Sequence, residues 1–130
     1  NAILLPYVIR YNGTRPAKAA TWPKYNYYRA DEKFQDIARM LGLPSSTPEE
    51  AVDALAKAVY ELGEAVGIEM NFKAQGVDHK EWLDTIHEIA MLAYEDQCSP
   101  ANPRLPMVAD MEEILADAYF GYKERPGRIK

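Results

Sequence analysis

The side chains of this sequence that most often do chemistry are two histidines and one cysteine. His79 and His87 are the only histidines, and Cys98 is the only cysteine. Eight residues of helix turn through about 80°, so the two imidazole rings are not expected to share one face. The residues after His87 lack the second histidine of a zinc-protease motif. We therefore predict no metal ligands here, and we interpret His87 as a surface histidine balanced by local carboxylates.

Cys98 lies just after a helical pattern, in a loop that three prolines stiffen. A reactive thiolate needs a histidine base or a helix N-terminus beside the sulfur, and the sequence shows neither. A small buried hydrophobic side chain is the favoured interpretation, and special reactivity is the alternative. A stiff loop with a small side chain is also a good wall for a pocket. Asn102 and Arg104 in the same loop are expected to fix its shape.

Other catalytic patterns are absent from the sequence. It has no glycine-rich phosphate loop and no G-x-S-x-G nucleophile motif. The net charge of -5 argues against nucleic acid as a partner, because phosphate binding needs a clustered basic face. The longest apolar stretch, residues 2–9, is too short to span a membrane. A single cysteine cannot form an intramolecular disulfide, so we expect a reducing, cytoplasmic location.

Helical patterns dominate, and the predicted fold class is all-α, a helical bundle. We predict helices over 31–41, from the Thr47-Pro48-Glu49-Glu50 capping signal to about residue 66, over 78–94 and over 109–120. Gly42, Gly67 and Gly121 are expected to end three of them. The predicted buried stripes, in chain order, are Phe34, Ile37, Ala38 and Leu41; Val52, Leu55, Val59, Leu62 and Val66; Trp82, Ile86, Ile89, Ala90 and Ala93; and Met111, Ile114, Leu115 and Ala118.

The two remaining segments are predicted to be irregular. Residues 14–28 carry Trp22, Tyr25, Tyr27 and Tyr28, which we interpret as an arm lying on a helical surface with its hydroxyls in solvent. A platform that stacks carbohydrates or bases is the alternative. Residues 121–130 are expected to form an extended tail of a single helical domain, residues 1–130.

The chain opens at Asn1 and runs directly into an apolar segment, which predicts a fragment of a larger enzyme or assembly. A processed terminus that folds back onto its own core is the alternative. Two motifs are familiar: residues 1–12, read as Asn-Ala-Ile-Leu-Leu-Pro and Val-Ile-Arg-Tyr-Asn, and the Asp-x-Cys-Ser-x-x-Asn-Pro-Arg loop at 96–104. They resemble the iron-containing (group III) alcohol dehydrogenases. The segment between them is most similar to the alcohol dehydrogenase half of the bifunctional aldehyde-alcohol dehydrogenases.

The resemblance implies a two-part dehydrogenase. In this family an N-terminal α/β domain binds NAD, and Fe2+, held by one aspartate and three histidines, acts as a Lewis acid. The bifunctional members convert acetyl-CoA to acetaldehyde and then to ethanol, and they form filaments. No residue here matches a metal ligand or a nucleotide-binding glycine, so we expect the isolated chain to be inactive and to bind neither cofactor.

The resemblance implies a role for only a few individual residues. Cys98 matches a cysteine near the nicotinamide and substrate cleft, which implies a pocket-wall residue, and Asn102 and Arg104 match structural positions. The implied partners are the missing nucleotide-binding and metal-ligand segments, a small alcohol or aldehyde, and further copies in a homo-oligomer or filament. Two other hypotheses are a helical assembly module and an independent all-α binding protein.

Overall fold

A computed structural model describes residues 1–17 and 28–122. These residues form five α-helices and a short 3-10 helix, with no strand among them, which confirms the all-α class. The helices are α1 (Leu5–Gly13), α2 (Ala30–Met40), α3 (Pro48–Ala65), α4 (His79–Glu95) and α5 (Val108–Phe120), with the 3-10 helix at Ser99–Ala101. No helix in the described part of the chain is long and apolar enough to cross a membrane.

The helix ends follow the local signals of the sequence. The Thr47 hydroxyl accepts the backbone N–H of Glu50, and Asp78 accepts the backbone N–H groups of Lys80 and Glu81. Glu50 reaches back to the backbone N–H of Ser46, at 2.6 Å, one residue before the position that a standard capping box predicts. The three predicted terminal glycines, Gly42, Gly67 and Gly121, all have positive φ.

The first half of the fold packs α1 and α2 onto α3, around a core of Ile9, Val52, Leu55 and Ala56. At Gly13 the backbone of α1 approaches α3 so closely that a Cβ there would lie 2.5 Å from Val52 Cγ2. Only glycine allows this approach without a shift of the helices, since real Cβ contacts are not that short.

Each of the two predicted stripes in this region is wrong at two positions. In α2 Ile37 and Leu41 are exposed, whereas Gln35 is buried and donates to the Ser45 carbonyl at 2.9 Å. In the stripe of α3 the wrong positions are Leu62 and Val66, the residue just after the helix; both are exposed, and the buried face continues instead through residues 60 and 63. The reason is packing: Met70, from the loop that follows, lies against residue 63, where a Cβ would meet its sulfur at 2.2 Å.

The second half packs α4 onto α5. The rings of His79, Trp82 and Tyr119 form an aromatic cluster, with the centroids of Trp82 and Tyr119 4.7 Å apart. Backbone N–H groups of the α3–α4 loop, at Phe72 and Lys73, donate to the last carbonyls of α5, which satisfies groups that a helix C-terminus leaves open. Ile89 and Ala93 of the predicted α4 stripe are exposed, so that part of the prediction is wrong.

α1 connects the two halves, because it contacts α2 and α3 on one side and α5 on the other. Tyr28, predicted to have a solvated hydroxyl, is buried and donates it to the Asn12 carbonyl. Trp22, Tyr25 and Tyr27 of the predicted arm lie outside the described residues, as do residues 123–130 of the predicted tail. Tyr122, the last described residue, packs its ring 5.2 Å from that of Tyr60.

Candidate functional site: a cleft between α1, α4 and α5

A cleft of about 790 Å³ opens between α1, α4, α5 and the loop that joins the last two. Its wall is mainly apolar, with a polar edge contributed by residues of the 96–102 segment and the end of α1. A cleft of this size and character is typical of a site for a small organic molecule. The apolar lining comprises Leu4, Val8, Ile89, Leu92, Ala93, Pro106, Met111, Ile114 and Leu115, and the polar edge Asn1, Tyr11, Asn12, Asp96, Cys98, Ser99 and Asn102.

Cys98 lies on the polar edge of this cleft, just before the 3-10 helix. Its side chain is exposed, so the interpretation as a small buried hydrophobic residue is wrong. Its backbone N–H donates to Asp96 Oδ1 at 2.7 Å, and a hydrogen bond with the same carboxylate raises the pKa of the Cys98 thiol. The thiol therefore stays protonated at neutral pH, which suits a wall residue better than a nucleophile.

A reciprocal pair of amides, which we call the amide clasp, joins Asn102 to Asn12. Asn12 Nδ2 donates to Asn102 Oδ1 at 3.0 Å, and Asn102 Nδ2 donates to Asn12 Oδ1 at 2.7 Å. Asn102 Nδ2 also donates to the Arg104 carbonyl. Since Asn12 is buried at the end of α1, the clasp ties the loop that carries Cys98 to a helix of the other half.

Arg104 makes a second tie between the same two segments. Its Nη1 donates to the Tyr11 carbonyl at 2.9 Å, and its guanidinium lies 4.1 Å from the centroid of the Tyr11 ring. The Tyr11 hydroxyl in turn is within hydrogen-bond distance of the Leu105 carbonyl, at 2.8 Å, and of Asp110 Oδ2, at 3.1 Å. Burial raises the pKa of Tyr11, followed by the nearby charge of Asp110, so its hydroxyl remains a donor.

The two histidines lie apart from the cleft and from each other. His79 is part of the aromatic cluster with Trp82 and Tyr119. His87 Nδ1 contacts Glu112 Oε1 of α5 at 2.5 Å, so its carboxylate partner is on another helix and not on its own. Within residues 1–17 and 28–122, no three histidine, cysteine, aspartate or glutamate side chains are grouped so that they could hold a metal ion.

Sequence reasoning placed Cys98, Asn102 and Arg104 in one loop but missed Asn12 and Tyr11, to which that loop is tied. About ninety residues separate Asn12 from Asn102 along the chain. No local pattern connects them, and the one signal in the sequence is the asparagine at the end of the first motif.

Residues 1–119 match the C-terminal model of the Fe-containing alcohol dehydrogenase family. The chain belongs to that family. The resemblance of its motifs to the iron-containing alcohol dehydrogenases is thereby confirmed.

Relatives in this family are much longer than the chain. An aldehyde-alcohol dehydrogenase of Streptococcus pneumoniae is 78% identical over 130 residues, all of this chain and 15% of the relative. Aldehyde-alcohol dehydrogenase 2 of Entamoeba histolytica is 54% identical over 119 residues, 92% of this chain and 14% of the relative. An NADPH-dependent butanol dehydrogenase of Clostridium saccharobutylicum is 31% identical over 121 residues, 93% of this chain and 28% of the relative. The chain thus spans about one seventh of the first two relatives.

The described residues do not fit the iron of this family. His79 is packed among aromatic rings and His87 is engaged by Glu112, so neither lies in a group of ligands. The sequence also lacks a glycine-rich loop for a dinucleotide.

Proposed function

We propose that this chain is the C-terminal helical part of an NAD-dependent, iron-dependent alcohol dehydrogenase that interconverts acetaldehyde and ethanol, within a bifunctional aldehyde-alcohol dehydrogenase of the cytoplasm. Its family membership and its similarity to longer aldehyde-alcohol dehydrogenases support this proposal. NAD and iron would be bound by segments of the longer enzyme that lie outside residues 1–130. The chain alone is expected to be inactive.

The observation that carries the proposal is the apolar cleft with Cys98 on its edge. Ethanol and acetaldehyde each carry a short alkyl group, which a wall of aliphatic side chains can contact away from water. A protonated thiol in that wall is a weak hydrogen-bonding group that does not compete as a nucleophile for the aldehyde. The amide clasp and Arg104 hold the loop that carries Cys98 to α1.

The first experiment compares the 130-residue chain with the full-length enzyme. Each is assayed for ethanol oxidation with NAD and ferrous iron, and we expect turnover from the full-length enzyme alone. Turnover by the isolated chain would refute the assignment of both cofactors to other segments. A full-length enzyme without any alcohol dehydrogenase activity would refute the proposed reaction.

A second experiment tests the cleft with two matched leucines of α4. Leu92 lines the cleft and is 62% exposed, and Leu83, on the same helix, is 54% exposed but does not line it. In the full-length enzyme, Leu92→Glu places a charge in the cleft and should lower kcat/KM for ethanol at least about tenfold. Leu83→Glu should stay within about twofold. Equal effects of both variants would contradict a role for the cleft in substrate binding.

A second candidate function is assembly with further copies of the enzyme. The observation that favours it is an exposed apolar pair at the C-terminal end of α3, Leu62 and the C-cap residue Val66, which are four residues apart. The double variant Leu62→Glu/Val66→Glu and a deletion of residues 123–130 should reduce particle size in the full-length enzyme while turnover per site is retained. The deletion spares Tyr122, because this residue contacts Arg10 and the ring of Tyr60. Unchanged particle size in both variants would refute the assembly role.

A further inference from the structure

A second, much smaller cavity of about 50 Å³ lies between α1 and α5. It differs from the cleft in character, because six of its seven lining residues carry a polar group, whereas most residues that line the cleft are apolar. Tyr11 and Ile114 line both spaces, so the small cavity lies directly behind the wall of the cleft. The polar lining consists of Tyr7, Tyr11, Arg104, Asp110, Glu113 and Asp117.

Tyr7 is the residue that makes this cavity unusual. Its side chain is only 1% exposed, and its hydroxyl has no hydrogen-bond partner among the described residues. Burial, and then the neighbouring Tyr60 and Asp117, raise the pKa of Tyr7 above its usual range, so the hydroxyl stays protonated. A buried hydroxyl without a partner is destabilising, and such groups in native proteins are usually satisfied by ordered water.

We propose that the cavity binds ordered water, which connects the Tyr7 hydroxyl to the Asp117 carboxylate of α5. The size fits, since one water molecule needs roughly 10–15 Å³ of such space and two to four polar partners. Asp117 is buried on the opposite wall and is close enough to influence the ionisation of Tyr7. A metal cation fits less well, because the Arg104 guanidinium is part of the same lining.

This water gives the contact between α1 and α5 a specific structural role. That contact joins the two halves of the fold, and the cavity within it is lined by polar residues of both helices. α1 is held to α3 by apolar packing, whereas its contact with α5 is bridged by this water. The proposal does not depend on the proposed enzymatic reaction.

The direct test is a high-resolution crystal structure of the full-length enzyme. We expect density in the cavity with oxygen distances of about 2.7–3.2 Å to the Tyr7 hydroxyl, as for hydrogen bonds. An empty cavity would overturn the proposal. A cation with several oxygen ligands at about 2.0–2.6 Å would also overturn it.

A second test uses the sign of a mutational effect, measured by hydrogen exchange of α1 amides in the full-length enzyme. If water satisfies the hydroxyl, Tyr7→Phe removes a hydrogen bond, and α1 amides should exchange about five- to tenfold faster. If the hydroxyl is unsatisfied, the same substitution removes a penalty, and exchange should slow or stay unchanged, which would refute the proposal. Tyr119→Phe is the matched control, because the buried Tyr119 hydroxyl donates to the Val77 carbonyl at 3.1 Å. Its loss should speed exchange near residues 77 and 119.

Discussion

α3 and α4 are nearly equal in length and differ in how much of their surface the chain covers. α3 has 18 residues, of which six are buried, and α4 has 17 residues, of which two are buried. Both begin with a side-chain cap, and both carry apolar residues at helical spacing. Their sequences therefore suggest that both helices are buried to a similar extent in a bundle, whereas the structure buries α3 much more than α4.

The difference lies in what faces each helix. α3 is packed by α1 and α2, and the core around Leu55 fills the space between them. α4 is packed by α5 and the 3-10 helix, and Ile89 and Leu92 remain exposed in the cleft. An apolar stripe thus marks a surface that something covers, without saying whether this chain, another segment or a small molecule does so.

The largest expected effect comes from truncating one leucine in each helix. Leu55, only 5% exposed, is part of the core, so Leu55→Ala should destabilise the first half by about 3 kcal/mol. Leu92→Ala on α4 should change stability by less than about 0.5 kcal/mol, because this side chain is mostly exposed. Native-state hydrogen exchange of α3 and α4 measures both values. Similar losses at the two sites would mean that α4 is as well packed as α3.

The next largest effect is a loss of stability of the first half of the fold at alkaline pH. Burial, and then the Asp31 charge, raise the pKa of Tyr28 to about 12, whereas an unfolded tyrosine titrates near 10. Because the folded value is the higher one, the stabilisation is complete below pH 10 and is lost as the pH rises through 12. The expected loss is about 2 kcal/mol, measured by urea unfolding across this pH range.

Tyr28→Phe is the control for this pH dependence. The variant cannot ionise at position 28, so its stability should decline less between pH 10 and 12. Tyr7 and Tyr11, whose pKa values are also raised by burial, should leave part of the decline in place. Phenolate absorbance from Tyr28 near pH 10 in the folded protein would contradict the predicted protection.

The predictable parts of this fold are those that depend on neighbouring residues. The caps at Thr47 and Asp78 and the turns at Gly42 and Gly67 are set by contacts within about five residues, and the sequence predicts them. The rotation of a buried face depends on partners far along the chain. Gln35 is buried because the Ser45 carbonyl accepts its amide, which hydrophobic periodicity does not register.

The candidate site shows the same limit. The motif identifies the loop with Cys98, Asn102 and Arg104. The hydrogen bonds of this loop to Asn12 and Tyr11 depend on where α1 packs, which the motif does not predict. Cys98 was expected to be buried because free cysteines usually are. It is exposed because the loop lies at the rim of an open cleft, a property of the packed helices and not of the loop sequence.

A smaller effect is expected from breaking the amide clasp that links the two halves. Asn102→Asp removes the Nδ2 donor to Asn12 Oδ1, so hydrogen exchange should show the 98–106 loop destabilised by about 1 kcal/mol. Asn71→Asp is a matched control, because among residues 1–17 and 28–122 the Asn71 side chain is hydrogen-bonded only through its oxygen, which accepts the Ala74 N–H at 2.7 Å. It should change stability by less than about 0.5 kcal/mol. Equal effects would mean that the clasp adds nothing to an ordinary loop contact.

The smallest effect is expected at the ion pair between α4 and α5. His87 and Glu112 are in contact, but the His87 side chain is 73% exposed, so water and salt screen the attraction. Glu112→Gln should therefore destabilise α4 by less than about 0.5 kcal/mol in hydrogen exchange. A loss comparable to that of Leu55→Ala would show that α4 depends on this polar contact where α3 depends on its core. The two helices would then differ in the kind of interaction that stabilises them, and not in how much of their surface the chain covers.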